Sequence, residues 1–425
     1  MARFLKWLAF ALAALALLLV GGAAAVQQWL RSDDFRARVE REASAALGVP
    51  LTLGRLSVDL WPLPAVAADQ VQLRTRPVLT LERIEARPVW AALLAGRLEI
   101  ATLVVRDAVL PQAAITAVAA AMQKKERAAA GGKPARPAAT APAPMLLPRS
   151  VVLDRITWVD DKGQRMTMDA RAALGEDGLL ERATFQVVQG RFAGTSARVE
   201  RQPDHWPVRV DIGGGRITGK LQLQPGKAGA QLLTGQLATA DVEVSALTAP
   251  SKPLTGRLQA QTTLRAEYRD LGQLLDALHT QTRFNVSQAV IAGVDLAKAV
   301  QTVGLSRGGQ TRLDSLAGQV ATQGKTVHVT SLVAASGVLA ATGHVAIAPS
   351  KALSGRLQVN LDTRKGALGV PLDVGGTLDD PSVTLTRGAL AGAALGTLLA
   401  PGVGTAAGAT AGDRIGEKLK GLFGR

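Results

Sequence analysis

The chain has 425 residues, no cysteine, four histidines and a formal net charge of +15. Without cysteine there are no disulfides, zinc ribbons, thiol nucleophiles or lipidated N-terminal cysteine, and an apolar share of 47% excludes wholesale disorder. With only 3% aromatic residues a stacking surface for single-stranded nucleic acid is not expected, and a basic excess scattered along the chain points to anionic partners such as phospholipid headgroups, with no nucleic acid.

Trp7–Val26 is a run of 20 uncharged residues preceded by Arg3 and Lys6. As a helix it spans about 30 Å, the thickness of a hydrocarbon core. Trp7 and Trp29 bracket it as interfacial anchors, and Leu12, Leu17 and Val20 are lipid-facing candidates. Positive flanks stay cytoplasmic, so the chain after the span is expected outside the cytoplasm. Ala23-Ala24-Ala25 also fits a signal-peptide cleavage site, but the length of the run favours a retained anchor over residues 1–31. The simplest setting is a bacterial inner membrane, crossed once, with the bulk of the chain periplasmic.

A short helix is expected next. Asp33 or Asp34 caps it, Phe35, Val39, Ala43 and Leu47 share one face, Gly48 stops it and Pro50 prevents resumption. Most of the remainder alternates with period two, as in Val208-Arg209-Val210-Asp211-Ile212, Leu221-Gln222-Leu223-Gln224, Val327-His328-Val329-Thr330 and Leu357-Gln358-Val359-Asn360-Leu361. Helical patterns are confined to Gln112–Ala130, Leu271–His279, Leu296–Val303 and the C-terminal tail. A loose repeat, apolar-x-Gly-x-apolar, recurs around Gly219, Gly235, Gly256, Gly318 and Gly355. Glycine at such sites marks a bulge, a bend or a close backbone approach, or simply starts a strand after a turn. The Ala/Pro-rich stretch 128–148 reads as a linker between a module over 32–127 and a longer one over 149–386.

Residues 387–425 form a glycine-rich tail with 25 uncharged residues from Gly388 to Gly412. Glycines at fourfold spacing, among them Gly392, Gly396, Gly408 and Gly412, allow close helix packing, and Pro401-Gly402 divides the run into a hairpin of two helices. Ile415, Leu419 and Phe423 then oppose Lys418 and Lys420 in a basic amphipathic helix that suits a membrane surface or a protein partner. A helical plug over the mouth of a groove fits the same residues.

Leu47-Gly48-Val49-Pro50-Leu51-Thr52-Leu53-Gly54-Arg55-Leu56 through Trp61-Pro62 resembles the opening of the AsmA-like proteins, and Val89-Trp90-Ala91-Ala92-Leu93-Leu94-Ala95-Gly96-Arg97-Leu98 resembles the turn and strand that follow there. Gly256–Val300, with Phe284-Asn285-Val286 and Ile291-Ala292-Gly293-Val294-Asp295-Leu296, is similar to that family's C-terminal domain, and Gly376-Thr377-Leu378-Asp379-Asp380-Pro381 to its terminal strand. The resemblance implies a mainly β protein whose transmembrane helix leads into a long, curled antiparallel sheet with an apolar groove. It also implies kinship with bridge-like lipid transfer proteins and a role in phospholipid movement and outer-membrane lipid homeostasis.

The groove candidates are Leu221, Leu223, Leu258, Val327, Val329, Leu357, Val359 and Leu361. With ~15–20 strands at ~4.8 Å spacing a groove reaches roughly 70–95 Å, short of a full crossing, so an outer-membrane or envelope-protein partner is expected. The alternative is an envelope scaffold that holds nascent outer-membrane proteins on its strand edges. No catalytic site is expected. Asp33-Asp34, Asp160-Asp161 and Asp379-Asp380 sit at caps and turns, and Gly402-Val403-Gly404 with Gly408 misses dinucleotide spacing. His205, His279, His328 and His344 lack metal-ligand spacing, so neither metal nor cofactor is expected.

Overall fold

The computed structural model describes residues 33–59, 65–89, 92, 99–131, 148–248, 253–269, 274, 276–301, 308–363 and 366–390. The protein is mainly β, with twenty strands and a few short helices among those residues. The segment Trp7–Val26 and the tail beyond Leu390 lie outside them. Among the described residues no helix is long and apolar enough to cross a membrane. The chain forms two compact units, divided between Arg198 and Val199.

In the first unit, α1 (Asp33–Leu47) opens with two acidic residues, as the positive end of a helix dipole favours. Phe35, Val39, Ala43 and Leu47 are half-buried along one side, as the spacing predicts. Gly48, at φ +71°, ends the helix in a left-handed turn. Ser44 and Glu40 then tie it to the next segment, since the Leu51 N–H donates to Ser44 Oγ at 2.8 Å and the Leu53 N–H to Glu40 Oε1 at 2.7 Å. Strand β1 (Leu51–Thr52) pairs with β3 (Ala65–Leu73), as does β2 (Arg55–Asp59). The antiparallel ladder continues through β4 (Leu79–Pro88) and β5 (Ile100–Pro111). Helix α2 (Gln112–Gly131) buries Ala114 against Val71, Leu73 and Leu79. Its Lys125 Nζ donates to the Ala45 carbonyl at 2.8 Å, so a cation meets the negative C-terminal end of α1.

Two sequence expectations change here. The linker begins later than residue 128, because α2 runs to Gly131. The linker also does not separate the units, because β6 (Ser150–Val159), the first strand after it, pairs in parallel with β5, Thr102 opposite Ser150 through Pro111 opposite Val159. A parallel pair needs a crossover, and α2 with the linker supplies it. Strands β7 (Arg165–Leu174) and β8 (Leu180–Gln189) extend this ladder, and the unit ends at Arg198, within β9 (Ser196–Glu200).

The second unit is an antiparallel meander of β10 (Trp206–Ile212), β11 (Gly215–Pro225), β12 (Gln231–Glu243), β13 (Leu254–Tyr268), β14 (Leu278–Ala292), β15 (Gln310–Gln323), β16 (Thr326–Ala335), β17 (Leu339–Ile347), β18 (Leu353–Thr363), β19 (Gly366–Gly376) and β20 (Pro381–Leu385), each paired with the next. Two short helices, α3 (Val244–Thr248) and α4 (Leu296–Gln301), sit in its connections. The helix expected over Leu271–His279 is not what ends that stretch. Leu278 and His279 open β14, opposite Ala266 and Arg265, because the alternating, β-branched run Thr280-Gln281-Thr282 behind them commits the backbone to a strand.

Candidate functional site

Apolar side chains of the second unit collect on one face of its sheet. Register fixes this. Trp206, Val208 and Val210 of β10 stand opposite Leu221, Gly219 and Ile217 of β11, and Leu221 and Leu223 stand opposite Gly235 and Leu233 of β12. The row passes through Leu258 and Leu264 of β13, Phe284 and Val286 of β14, Val320 of β15, Val327 and Val329 of β16, and Ile347 and Val345 of β17. It ends in Leu357, Val359 and Leu361 of β18 with Leu372 and Val370 of β19. All eight sequence-derived candidates therefore lie on this face. The opposite face carries Arg257, Gln259, Gln261, Thr263 and Arg265 along β13, all exposed.

Strict alternation would not keep long strands in phase with this face. Bulges at Asp241, Gln288 and Ser331, all with φ between 50° and 57°, interrupt every second strand from β12 to β16. Each absorbs one extra residue and switches the phase of the alternation. Val286 before Gln288 and Ala289 after it are both buried in the same core, and Val329 and Leu332 flank Ser331 in the same way. The repeat glycines do different work. Of those in the second unit, Gly256, at φ +129°, sits at a bulge, and Gly318 sits at a register shift. Gly219 and Gly355 allow close backbone approach, because a Cβ there would overlap the carbonyl oxygens of Gln236 and His344. At Gly235 a Cβ would lie 2.6 Å from Leu221 Cδ2 and 3.1 Å from Leu264 Cγ, so these leucines lie down over the glycine.

The face is not uniformly covered. Leu221, Leu223, Leu258, Val327 and Val329 are half-buried. Leu357, Val359 and Leu361 are 7%, 0% and 4% exposed and belong to a closed core that α4 seals with Leu296, Ala299 and Val300. Among the described residues the main helix contacts to this sheet come from α3, on β12 and β13, and from α4, on β15, β18 and β19. Among the described residues these two helices leave the apolar side chains of β10 and β11 half-buried. Polar residues on the strip satisfy themselves: Thr262 and Thr282 pair across β13 and β14, Oγ1 to Oγ1, at 2.9 Å.

Charges are kept off the strip. Asp211 bridges Arg209 and Arg216, at 3.1 and 2.9 Å, and hydrogen bonds from both guanidinium groups hold its carboxyl below the usual range. Burial pushes the Glu243 carboxyl up, but hydrogen bonds from the Gly256 and Ser245 backbone N–H groups outweigh it, and the net shift is downward. Glu243 thereby ties the Gly256 bulge to the start of α3. Sequence reasoning singled out neither this carboxylate nor Leu237, Leu264 and Phe284 of the strip. The period-two pattern of Leu233-Thr234-Gly235-Gln236-Leu237 already carried the signal for Leu237.

A depression of about 750 Å³ crosses β11 to β16, lined by Gln236, Gln261, Gln281, Arg283 and Gln319 of the polar face together with Leu237, Thr262, Thr282 and Val320 of the strip. Among the described residues no group of three or more acidic, histidine or cysteine side chains could hold a metal ion. The anchor residues Trp7, Leu12, Leu17, Val20 and Trp29, and the tail residues Gly392, Gly396, Gly408, Gly412, Ile415, Leu419 and Phe423, lie outside the described residues. Comparison with family models, with curated proteins and with solved structures finds no match for the chain.

Proposed function

We propose that the chain carries phospholipid acyl chains on the apolar face of its second unit, as an inner-membrane-anchored periplasmic protein that moves lipid toward the outer membrane. The observation that carries this reading is the half-buried part of the strip on β10 and β11, over which, among the described residues, neither α3 nor α4 makes a main contact, continued by Val327 and Val329. Each CH₂ kept out of water is worth about 0.8 kcal/mol, so a two-chain lipid crosses an aqueous gap only along a surface that exchanges one apolar contact for the next. A strip of Leu, Val and Phe with paired threonines offers that exchange without a specific ligand contact. In this reading the acyl chains lie along the apolar face, and the bulges at Asp241, Gln288 and Ser331 keep apolar side chains on it where the alternation changes phase. Leu357, Val359 and Leu361 then form the closed floor at one end of the groove, and the open portion takes the lipid.

The test is fluorescent-phospholipid transfer between donor and acceptor liposomes by the full chain. Leu221→Gln with Leu223→Gln places amides on the strip at half-buried positions. The reading predicts at least a tenfold slower transfer with an unchanged circular-dichroism spectrum. Wild-type transfer by this variant contradicts it.

A further inference from the structure

The polar face of the second unit carries a site that the lipid reading leaves unused. Its depression of about 750 Å³ lies within the range of small-molecule and cofactor sites. Gln236, Gln261, Gln281 and Gln319 occupy four consecutive strands, β12 to β15, and Thr218, Thr263 and Thr330 add hydroxyls. The register holds them side by side: Gln236 faces Thr263, Thr263 faces Gln281, and Arg283 faces both Gln261 and Gln319. Lys220, opposite Gln236, and Arg265, two residues from Thr263, stand exposed at its margin. No carboxylate lines it.

We propose that this trough binds an acidic oligosaccharide. Each glutamine amide presents donors and acceptors together, which a sugar hydroxyl matches because it also does both. A polyphosphate accepts only and leaves the amide oxygens unpaired. A polypeptide docks on strand edges or in side-chain pockets, and the depression crosses strands that are paired on both sides. Arg283, with no carboxylate among the described lining residues, sets the sign of the ligand, and its planar fork matches a carboxylate. From β12 to β15 the amide row spans roughly 14 Å at ~4.8 Å per strand, room for a few sugar rings.

Isothermal titration of the full chain in nanodiscs with oligogalacturonate tests this, with a maltose oligomer as neutral control and polyglutamate as charge control. Expected are saturable oligogalacturonate binding at least tenfold tighter than either control, and a tenfold or greater loss in Arg283→Gln. Gln281→Glu, an exposed substitution that places a like charge in the trough, abolishes binding while the melting temperature stays put. Absence of oligogalacturonate binding, equal binding of polyglutamate, or wild-type affinity in Gln281→Glu each overturns the assignment.

Discussion

Glu85 shows how single residues set the stability of the first unit. Its side chain, 7% exposed, receives hydrogen bonds from Arg83 at 2.8 Å, Arg106 at 2.6 Å and Arg87 at 3.3 Å, and Arg83 also reaches Asp69 at 3.0 Å. Burial pushes the carboxyl up, but the Arg83, Arg106 and Arg87 interactions outweigh it and the net shift is downward. A depressed carboxylate contributes its stability above its ordinary pKa of 4.5 and loses it as pH falls through the folded value. Glu85→Gln is therefore expected to cost about 1–3 kcal/mol at pH 7, a figure discounted because the arginines are part-exposed, and the gap to wild type narrows below pH 4.5 as the carboxylate takes up its proton. Denaturant melts at both pH values check this. Equal stability at pH 7 would show that the cluster contributes nothing. Backbone positions give a pair of opposite expectations. Gly355→Ala overlaps a neighbouring carbonyl and is expected to cost about 1–3 kcal/mol, seen as a lower Tm. Gln288→Gly relieves a residue held at φ 52° and is expected to be neutral or stabilising by about 1 kcal/mol. A destabilised Gln288→Gly would mean that its side chain, not its backbone, matters.

At the scale of elements, α4 closes one end of the apolar face. Its Leu296 N–H donates to Thr311 Oγ1 at 2.9 Å, and that hydroxyl donates to the Val294 carbonyl at 2.7 Å, so a buried threonine seats the helix. Leu296, 3% exposed, packs with Leu313, Leu361 and Leu372 in the core. Leu296→Ala is expected to cost about 2–5 kcal/mol and to bring amides of β18 and β19 into faster hydrogen exchange, whereas a change confined to α4 would show that it does not seal the core. Much of this was legible in the chain itself. Alternation marked β11, β16 and β18, and the Asp33–Gly48 signals bounded α1 within a residue, because capping and period-two burial are local physics. The bulges were not legible, since Asp241, Gln288 and Ser331 are ordinary residues whose positive φ comes from neighbouring strands. The strand start at Leu278 was hidden by a Leu-Leu-Asp-Ala-Leu run that reads equally well as a helix turn. Pairing of β5 with β6 was hidden because it joins residues separated by α2 and the linker. On the strip, alternation placed side chains on one face but could not separate half-buried Leu221 from sealed Val359, a distinction made by where α4 lands.

For the whole molecule, composition and fold agree on an amphipathic sheet. Apolar residues are spent on one broad face of the second unit, and the basic excess is carried by exposed strands and turns, including Lys220, Arg265 and Arg283. In the first unit the ionic cluster around Glu85 places charge within the sheet. The measurement closest to the central proposal is photo-crosslinking of the full chain in nanodiscs with a phospholipid bearing a diazirine on its acyl chain, followed by peptide mapping. Adducts are expected on β10 to β12 at Val208, Leu221, Leu223 and Leu237, and none on Gln259 or Gln261 of the opposite face. Labelling confined to the N-terminal apolar run, or spread equally over both faces of the sheet, would contradict that proposal.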